Sequence, residues 1–417
     1  MKYIKRISDI ELQRKLNSSG AVLIRGAKAC GKTESAKQLA GSILNVDTDE
    51  QVPALIDTAP QRLLLGKTPR LIDEWQEQPK LWNYIRHEID KRRDTAQFIL
   101  TGSANPEENV KIHSGAGRFA TLDMRTMSWQ ELGLSSGKIS LKNLFDGAKI
   151  DIYDEPTELE FIVEKIIIGG FPGLLGKNVN QAIDLNRAYI DLLAEVDMSR
   201  ISGVKRDPAK VRNLLRSIAR NTATTVEITT LEADIYEKES GNLSRPTIYE
   251  YLDALNRLMI TEEQPAWNTH IRSSASLRKT PKRHFTDVSL SVAALGADSD
   301  SLLADLRFTG FLFESLTTHE LRVYAQANDA KVYYYRDSNN LEIDAIVQKH
   351  NGDWLAFEIK LGTGQIEEAA ANLNKFVSIL DKKKVKSPKS LNIITGTGIS
   401  YTRADGINVI SLASLGA

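Results

Sequence analysis

A short glycine-bounded run near the start of the chain has the residue types and spacing of a phosphate-binding loop. The run is Gly26-Ala27-Lys28-Ala29-Cys30-Gly31-Lys32-Thr33. Its two glycines allow the backbone to turn so that N–H groups point at phosphate oxygens, and the dipole of a following helix adds positive charge. Lys32 would reach the β- and γ-phosphates, and the Thr33 hydroxyl would bind Mg²⁺. The run therefore predicts a site for ATP with Mg²⁺.

Polar residues at the ends of two other apolar strands would supply the remaining groups that ATP hydrolysis needs. Asp73 ends one strand and would hold Mg²⁺ through water, while Glu74 would polarise the attacking water as a general base. Thr101 or Ser103, at the end of another strand, would sense the γ-phosphate. The alternatives are an acidic loop at a strand end and a hydroxyl that only satisfies a turn.

Two further residues near this site have two interpretations each. Arg118, in the run Gly115-Ala116-Gly117-Arg118, would act as an arginine finger on the nucleotide of a neighbouring subunit, which implies a homo-oligomer. A structural salt bridge is the alternative for Arg118. Cys30, inside the loop, is expected to be a small space-filling side chain; the alternative is an oxidisable thiol that blocks the site.

A second group of residues suited to catalysis lies in the last third of the chain. Asp344 lies on one predicted strand, and Glu358 and Lys360 lie on one face near the end of the next. Asp344 and Glu358 would hold a divalent metal, and Lys360 would orient or deprotonate a hydrolytic water. Glu314 on the preceding helix would complete the metal site, with Glu342 as a further ligand. The alternative is a cross-strand Glu–Lys salt bridge at the surface.

The middle of the chain offers candidate contacts to DNA. A helix that opens after the N-cap residue Ser244 resembles the recognition helix of a winged helix-turn-helix. Arg245, Thr247 and Tyr249 in its first turns would touch DNA. Packing between domains is the alternative, because two acidic residues share the exposed surface of the helix.

A basic segment downstream of that helix is another candidate for phosphate contact. Its residues are Arg272, Arg278, Lys279, Lys282, Arg283 and His284. The alternative is a solvated linker.

Changes of pattern along the chain divide it into three predicted domains. Residues 1–137 alternate apolar strands with helices, which predicts a parallel sheet with ligands at the carboxyl ends of its strands. Residues 138–270 are mostly helical, and residues 271–417 run in the order α-β-β-β-α-β. The predicted fold class is α/β multidomain: a parallel-sheet P-loop domain, a helical or winged-helix middle, and a C-terminal α/β domain.

Motifs in all three regions resemble an AAA-type P-loop ATPase family of bacteria and archaea, in which the ATPase is fused to a C-terminal domain of unknown function. They lie at residues 22–33, 71–76, 99–103, 169–173, 244–252, 281–287, 313–315 and 335–337. The C-terminal residues and their element order resemble the PD-(D/E)XK, or restriction-endonuclease-like, core. The resemblance implies ATP hydrolysis, whereas phosphodiester cleavage is an expectation that a fold alone does not secure.

One turn departs from the family pattern. After Arg336-Asp337 the chain has Asn339-Asn340, where the family usually has glycine. Asparagine tolerates the left-handed conformation, so the turn is expected to keep its shape.

Composition limits the classes of protein to which the chain can belong. The 54 Lys and Arg residues balance the 54 Asp and Glu residues, so contact with DNA would have to come from local patches. No apolar run approaches the ~20 residues that cross a bilayer, and the first residues do not form a signal peptide. The single cysteine excludes an internal disulfide and fits the cytoplasm.

The sequence leaves two functions of different classes open. In the first, an ATPase controls a winged-helix and nuclease-like assembly that acts on DNA. In the second, the chain is a nucleotide-dependent switch that recruits protein partners, and a catalytically inactive nuclease-like domain serves as the docking surface. A stand-alone nucleotide kinase is disfavoured because the chain carries so much additional architecture.

Overall fold

Five parallel strands form the sheet of the N-terminal domain, in the order β2–β3–β4–β1–β5. They are β1 (Ala21–Arg25), β2 (Ser42–Asn45), β3 (Arg70–Asp73), β4 (Phe98–Thr101) and β5 (Phe119–Asp123). The computed structural model describes residues 2–102, 115–152, 156–202, 206–236, 244–268, 279–381 and 383–417. Three residues of the predicted sites lie outside the described residues, namely Ser103, Arg272 and Arg278.

The order of these strands brings the predicted catalytic residues to one edge of the sheet. Strand β4 lies between β1 and β3, and Thr101 is in register with Ile24 on one side and Asp73 on the other. The strands are parallel, so their carboxyl ends lie side by side. The loop that follows β1 therefore begins beside both Asp73 and Thr101.

Helices cover both faces of this sheet, which explains why its strands are apolar throughout. They are α1 (Ser8–Ser18), α2 (Lys32–Lys37), α3 (Val52–Thr58), α4 (Pro60–Leu63) and α5 (Lys80–Arg92). On one face Val22 shares a core with Leu12 and Leu16 of α1. On the other face Leu23 shares a core with Ile85 of α5.

A bundle of helices forms the middle of the chain. It contains α8 (Val179–Leu192), α9 (Met198–Ser202), α10 (Pro208–Arg220), α11 (Ile228–Tyr236) and α12 (Arg245–Arg257). The predicted N-cap of α12 is present, because the Ser244 hydroxyl accepts the N–H of Thr247. After α12, β8 (Thr261–Gln264) and β9 (Lys282–Phe285) pair as an antiparallel ladder. Every helix in the described part of the chain is too short or too polar to cross a bilayer.

A mixed sheet of seven strands forms the C-terminal domain, in the order β10–β11–β12–β13–β15–β14–β7. Its strands are β7 (Asp151–Ile152), β10 (Ala330–Arg336), β11 (Glu342–Lys349), β12 (Trp354–Lys360), β13 (Ser390–Thr395), β14 (Ser400–Thr402) and β15 (Asn408–Ser411). Helix α15 (Leu306–Ala327) precedes β10, and α16 (Ile366–Ile379) lies between β12 and β13. The predicted order α-β-β-β-α-β is therefore present. Asn340 has a φ of 61°, the left-handed conformation expected of this turn.

Residues that precede the helical bundle pair with the C-terminal part of the chain. Strand β7 pairs with β14, and β6 (Ile139–Ser140) pairs with β16 (Leu415–Gly416). Four helices pack around this junction: α6 (Leu141–Phe145), α7 (Leu159–Ile168), α13 (Val288–Leu295) and α14 (Ser299–Ala304). The bundle thus lies between two stretches of chain that contribute to one core. The boundaries at residues 137/138 and 270/271 stay predictions.

A close backbone contact joins the N-terminal domain to the start of the bundle. The Met127 N–H donates to the Gly170 carbonyl at 2.7 Å, and the Gly170 N–H donates to Asp287 at 2.8 Å. A Cβ at Gly170 would lie 2.2 Å from the Met127 carbonyl oxygen. Only glycine allows the two backbones to approach this closely.

We expect Gly170→Ala to destabilise the folded protein, because the extra carbon must displace backbone atoms. Overpacking of this kind costs about 1–3 kcal/mol. Gly173→Ala is the matched control, since a Cβ at Gly173 meets nothing within 4 Å. Denaturant unfolding measures both variants, and equal stability of the two would contradict the close contact.

Candidate functional site

The loop after β1 adopts the turn that its glycines predict. Gly31 has a φ of 104°, in the left-handed region where glycine is favoured. A Cβ at Gly26 would lie 2.2 Å from the Met124 carbonyl oxygen, so that position also requires glycine. Cys30 is fully buried, and its thiol donates to the same carbonyl at 3.5 Å. Cys30 therefore fills space under the loop, as expected.

The Lys32 side chain turns back onto the loop that precedes it. Its ammonium group donates to the carbonyl oxygens of Gly26 and Ala27, each at 2.9 Å. The side chain is buried, and both of these acceptors are neutral. Ionised phosphate oxygens accept stronger hydrogen bonds than neutral carbonyls, so Lys32 is well placed to exchange these partners for a phosphate group.

Asp73 brings the ends of three segments together. Its Oδ1 atom accepts the Thr33 hydroxyl at 2.8 Å and also accepts the Thr101 hydroxyl. The two predicted Mg²⁺-binding groups, the Thr33 hydroxyl and the Asp73 carboxylate, are thus in direct contact. Hard oxygen donors of this kind suit Mg²⁺, so the residues present fit the ion.

Glu74 is held by a residue that the sequence did not single out. Its backbone is left-handed, with a φ of 52°, and its carboxylate accepts the side-chain amide of Gln76. A Cβ at Gly102 would lie 2.1 Å from Oε1 of Gln76, so the Gln76 amide packs directly against the residue after Thr101. The glycine after Thr101 was the available signal for this approach.

Two side chains from outside the loop bind its carbonyl oxygens. The buried Arg6 guanidinium donates to the carbonyls of Cys30 at 3.0 Å and Arg125 at 2.8 Å, and it lies 3.1 Å from Glu131. The Tyr189 hydroxyl, from α8 of the bundle, donates to the Lys28 carbonyl at 3.2 Å. Burial raises the pKa of Tyr189, so its phenol keeps the donating proton.

The Tyr189 contact belongs to a larger surface between the loop and the bundle. The ring of Tyr189 lies 5.2 Å from that of Phe171, and a Cβ at Gly31 would lie 3.4 Å from Pro172. Phe171 and Pro172 belong to the motif at residues 169–173, which the sequence showed without indicating its position. Sequence reasoning missed Arg6 and Tyr189 because neither lies near the loop along the chain.

Arg118 lies at the opposite edge of the sheet from the loop of its own subunit. Its carbonyl accepts the N–H of Ala21, the first residue of β1, whereas the loop follows the last. The Arg118 guanidinium pairs with Asp90 at 2.9 Å, which is the salt bridge of the alternative interpretation. Action on a neighbouring subunit stays a prediction.

The predicted C-terminal residues also come together. The Lys360 ammonium lies 2.7 Å from Oε2 of Glu358 and 3.2 Å from Oδ2 of Asp344. Glu358 is 2 % exposed, and its other oxygen accepts the Asn372 amide at 2.7 Å. The surface salt bridge of the alternative interpretation does not fit this burial. A metal-binding role for Glu314, Asp344 and Glu358 remains a prediction.

The basic segment around Lys282 requires a correction. Both sequence interpretations, phosphate contact and a solvated linker, expected exposed side chains, yet Lys282, Arg283 and His284 are all buried. They belong to β9, and the Arg283 guanidinium donates to the Val226 carbonyl, between α10 and α11, at 2.8 Å. The Lys282 ammonium lies 2.6 Å from both Glu314 and Glu342. The sequence did not predict the burial of these side chains, because charged residues are usually exposed to solvent.

Burial and neighbouring charges divide the C-terminal carboxyl groups into two kinds. Burial raises the pKa of Glu314 to about 7, and burial together with Asp344 raises the pKa of Glu358 to about 8. Burial also works to raise the pKa of Asp344, but the ammonium groups of Lys360 and Lys282 outweigh it and hold the value below the ordinary one. Asp344 is therefore the most persistent negative charge of the three.

Two of the three predicted DNA-contacting side chains in the first turns of α12 are exposed, and one of these two is in an ion pair. Arg245 pairs with Glu232 at 2.8 Å, and the Thr247 hydroxyl lies 2.9 Å from that of Ser244. Tyr249 is 60 % exposed. Arg245 and Tyr249 therefore both present exposed surface to solvent.

The five-stranded sheet that carries the phosphate-binding loop matches a known protein family. Residues 18–133 match a family described as an AAA domain, and this range contains β1 to β5 and the loop. Residues 159–301 and 309–415 match two families described as domains of unknown function, DUF8612 and DUF4143.

Whole-chain relatives and solved structures are more distant. Uncharacterized proteins of Mycobacterium bovis and Mycobacterium tuberculosis are each 24% identical over 362 residues, which is 85% of this chain and 74% of theirs. A Walker-type ATPase of Pyrococcus abyssi has a TM-score of 0.43 at 12% identity, over 70% of this chain and 96% of that one. The Aeropyrum pernix ORC1 protein in complex with DNA has a TM-score of 0.23 at 13% identity, over 73% and 95%. At these TM-scores neither structure bears on function.

We expect the protein to lose stability as the pH rises from 7 to 9. The folded-state pKa of Glu358, about 8, lies above its ordinary value, so the folded protein holds a proton that the unfolded chain has released. The stabilisation present at low pH is lost as the pH rises through about 8, by about 1 kcal/mol between pH 7 and 9.

Glu358→Gln removes this titration, so the pH dependence of its unfolding free energy should be flatter than that of the unmodified chain. Denaturant unfolding at several pH values measures both slopes. Glu368→Gln, an exposed position on α16, is the matched control and should keep the original slope. Parallel slopes for Glu358→Gln and the unmodified chain would contradict the raised pKa.

Proposed function

We propose that the AAA-type P-loop ATPase domain of this chain hydrolyses ATP at the carboxyl ends of β1, β4 and β3. Lys32 binds the β- and γ-phosphates, Thr33 and Asp73 hold Mg²⁺, Glu74 is the general base, and Thr101 senses the γ-phosphate. The contact of Asp73 with both Thr33 and Thr101 carries this proposal. Through Oδ1 of Asp73, the end of β3 contacts both the phosphate-binding loop at Thr33 and the end of β4 at Thr101.

Each residue in this mechanism changes partners when the triphosphate binds. The Lys32 ammonium leaves the Gly26 and Ala27 carbonyls for phosphate oxygens. The hydroxyl protons of Thr33 and Thr101 turn away from Asp73, which frees its carboxylate. Bound Mg²⁺ would neutralise charge that develops on the phosphates. Glu74 then takes a proton from the attacking water, and Gln76 orients its carboxylate.

We further propose that the nucleotide state sets the position of the helical bundle. Tyr189 and Pro172 contact the loop from the bundle side, while Arg6 holds the Cys30 carbonyl from the N-terminal side. A change of loop conformation therefore has to break or move contacts with the bundle.

DNA is the partner we propose for the bundle. Three helices, α10 to α12, are followed by the β8–β9 ladder, which is the element order of a winged helix. The first turns of α12 expose Tyr249, and Arg245 keeps a half-exposed guanidinium beside it. In an oligomer, Arg118 would reach the nucleotide of a neighbouring subunit.

A protein-recruiting switch is the second candidate function. One observation favours it: the C-terminal carboxyl groups are paired with the buried ammonium group of Lys282 and the partly buried one of Lys360. Carboxyl groups that are already paired are less available to a catalytic metal, which a docking domain does not need. In this second function ATP binding would expose or hide the surface, and DNA would have no effect on turnover.

We expect Lys32→Ala and Glu74→Gln each to lower the steady-state rate of phosphate release from ATP by ~100-fold or more. Lys32→Ala should also weaken ATP binding, because it removes the charge that contacts the phosphates. Glu74→Gln should still bind ATP, measured with a fluorescent analogue.

Lys37→Ala is the matched control for these variants. Lys37 lies on the same helix as Lys32, is exposed and pairs only with Glu34 among the contacts described. Its ATPase rate should equal that of the unmodified chain. An undiminished rate in Lys32→Ala, from a preparation in which Lys32→Ala also leaves ATP binding unchanged, would contradict the assignment of the loop.

We expect double-stranded DNA at low salt to raise the ATPase rate, and added salt to remove the effect, because phosphate contacts release counterions. Tyr249→Ala combined with Arg245→Ala should lower the DNA-dependent increment. Arg212→Ala, another paired arginine on the bundle, is the control. A rate that DNA leaves unchanged at low salt would favour the protein-recruiting switch.

A further inference from the structure

Lys282 occupies the centre of the C-terminal carboxylates. Its Nζ atom lies 2.6 Å from Oε1 of Glu314, 2.6 Å from Oε1 of Glu342 and 3.9 Å from Oδ1 of Asp344. Glu314 comes from α15, whereas Glu342 and Asp344 come from β11, so the ammonium joins elements that are distant along the chain. Lys282 is 1 % exposed, which places this charge entirely inside the protein.

Asp344 and Glu358 have further partners within the chain. Oδ2 of Asp344 accepts the Ile359 N–H at 2.7 Å and faces Lys360 at 3.2 Å. Glu358 is bound by Lys360 and by the Asn372 amide. Four carboxyl groups are thus arranged around two ammonium groups. The two oxygens of Asp344 face different lysines.

This arrangement does not fit a divalent metal. Nowhere in the described part of the chain do three acidic, histidine or cysteine side chains lie where they could hold a metal ion together. A metal among Glu314, Glu342 and Asp344 would require their oxygens to converge on it, but two of these groups already converge on the Lys282 ammonium. Two cations in one buried place would repel each other.

We propose that the Lys282 ammonium is the resident cation of this cluster, in the place that a divalent metal would take among Glu314, Glu342 and Asp344. The carboxyl groups of this cluster then stabilise the C-terminal domain, and the domain does not cleave phosphodiester bonds with a metal. The proposal concerns this domain alone and holds whether or not the N-terminal domain hydrolyses ATP.

The Lys282 ammonium stays among these carboxyl groups because it is covalently part of the chain. Lys282 is fixed by the β8–β9 ladder, where its backbone pairs with that of Gln264. Its charge therefore arrives at the cluster as the chain folds, and no free ion has to be dehydrated. Since removal of one partner from a buried ion cluster leaves the others uncompensated, loss of the ammonium should create a demand for another cation.

Mn²⁺ titration of the full-length, nucleotide-free chain tests the proposal, with the free ion measured by electron paramagnetic resonance. We expect Lys282→Ala to bind about one more equivalent of Mn²⁺ per chain than the unmodified protein. Addition of Asp344→Asn to Lys282→Ala should remove the extra equivalent. The nucleotide site is the same in both variants, so a difference between them in bound Mn²⁺ cannot come from that site.

Two further variants make the test robust. Lys282→Met keeps the aliphatic stem if Lys282→Ala does not fold, and it should also gain Mn²⁺ binding. Lys331→Ala, an exposed lysine on β10, is the matched control and should bind no more Mn²⁺ than the unmodified chain. If neither Lys282 variant gains an equivalent, the lysine does not hold a metal position and the proposal is overturned.

The unmodified chain supplies an independent test. With Mg²⁺ or Mn²⁺ it should leave supercoiled plasmid intact, and Asp344→Asn should not change its Mn²⁺ stoichiometry. Nicking that Asp344→Asn removes, or an equivalent of Mn²⁺ that the same change removes, would show a metal site in the native cluster and would overturn the proposal.

Discussion

Buried charge is the constraint that organises the contacts between the parts of this protein. An ionised group inside a protein is strongly unfavourable unless an opposite charge or a set of hydrogen bonds compensates it. Arg6 meets Glu131 where the N-terminal segment covers the loop, and Lys282 meets Glu314 where β9 covers the C-terminal sheet. In each case the partners come from segments far apart in sequence. The compensation therefore fixes how those segments lie against each other.

A third buried ion group connects these two. Glu262 on β8 pairs with Arg125, which follows β5, at 3.0 Å and with Arg322 on α15 at 2.8 Å. Although burial would raise the pKa of Glu262, the two arginines lower it to about 2, so the carboxylate stays charged. The carbonyl of the same Arg125 accepts a hydrogen bond from Arg6. A continuous set of polar contacts thus runs from the phosphate-binding loop to the helix that carries Glu314.

Local chemistry was sufficient to predict much of the fold and of the nucleotide site. The loop, the strands that end at Asp73 and Thr101, the N-cap at Ser244 and the turn at Asn340 depend on a few neighbouring residues. The alternation of side chains along a strand predicted that Glu358 and Lys360 share a face, and it uses only neighbouring residues.

Side chains that act across large sequence separations could not be found in this way. Arg6 and Tyr189 reach the site through packing that no local pattern encodes. Lys282 was predicted to be exposed because it lies among other basic residues, and the carboxylates that bury it come from elements formed later in the chain. Charge patterning alone does not distinguish a solvated basic segment from a strand whose charges are compensated by distant partners.

The pairing of β7 with β14 and of β6 with β16 gives the helical bundle an unusual attachment. The chain enters the bundle from one part of the C-terminal core and returns through β9 to another part of the same core. A domain on a single linker can swing and rotate freely, whereas an insert with both ends anchored retains few degrees of freedom. Both ends of the bundle are thus tied to one core, so the bundle cannot leave that core by swinging on a single linker.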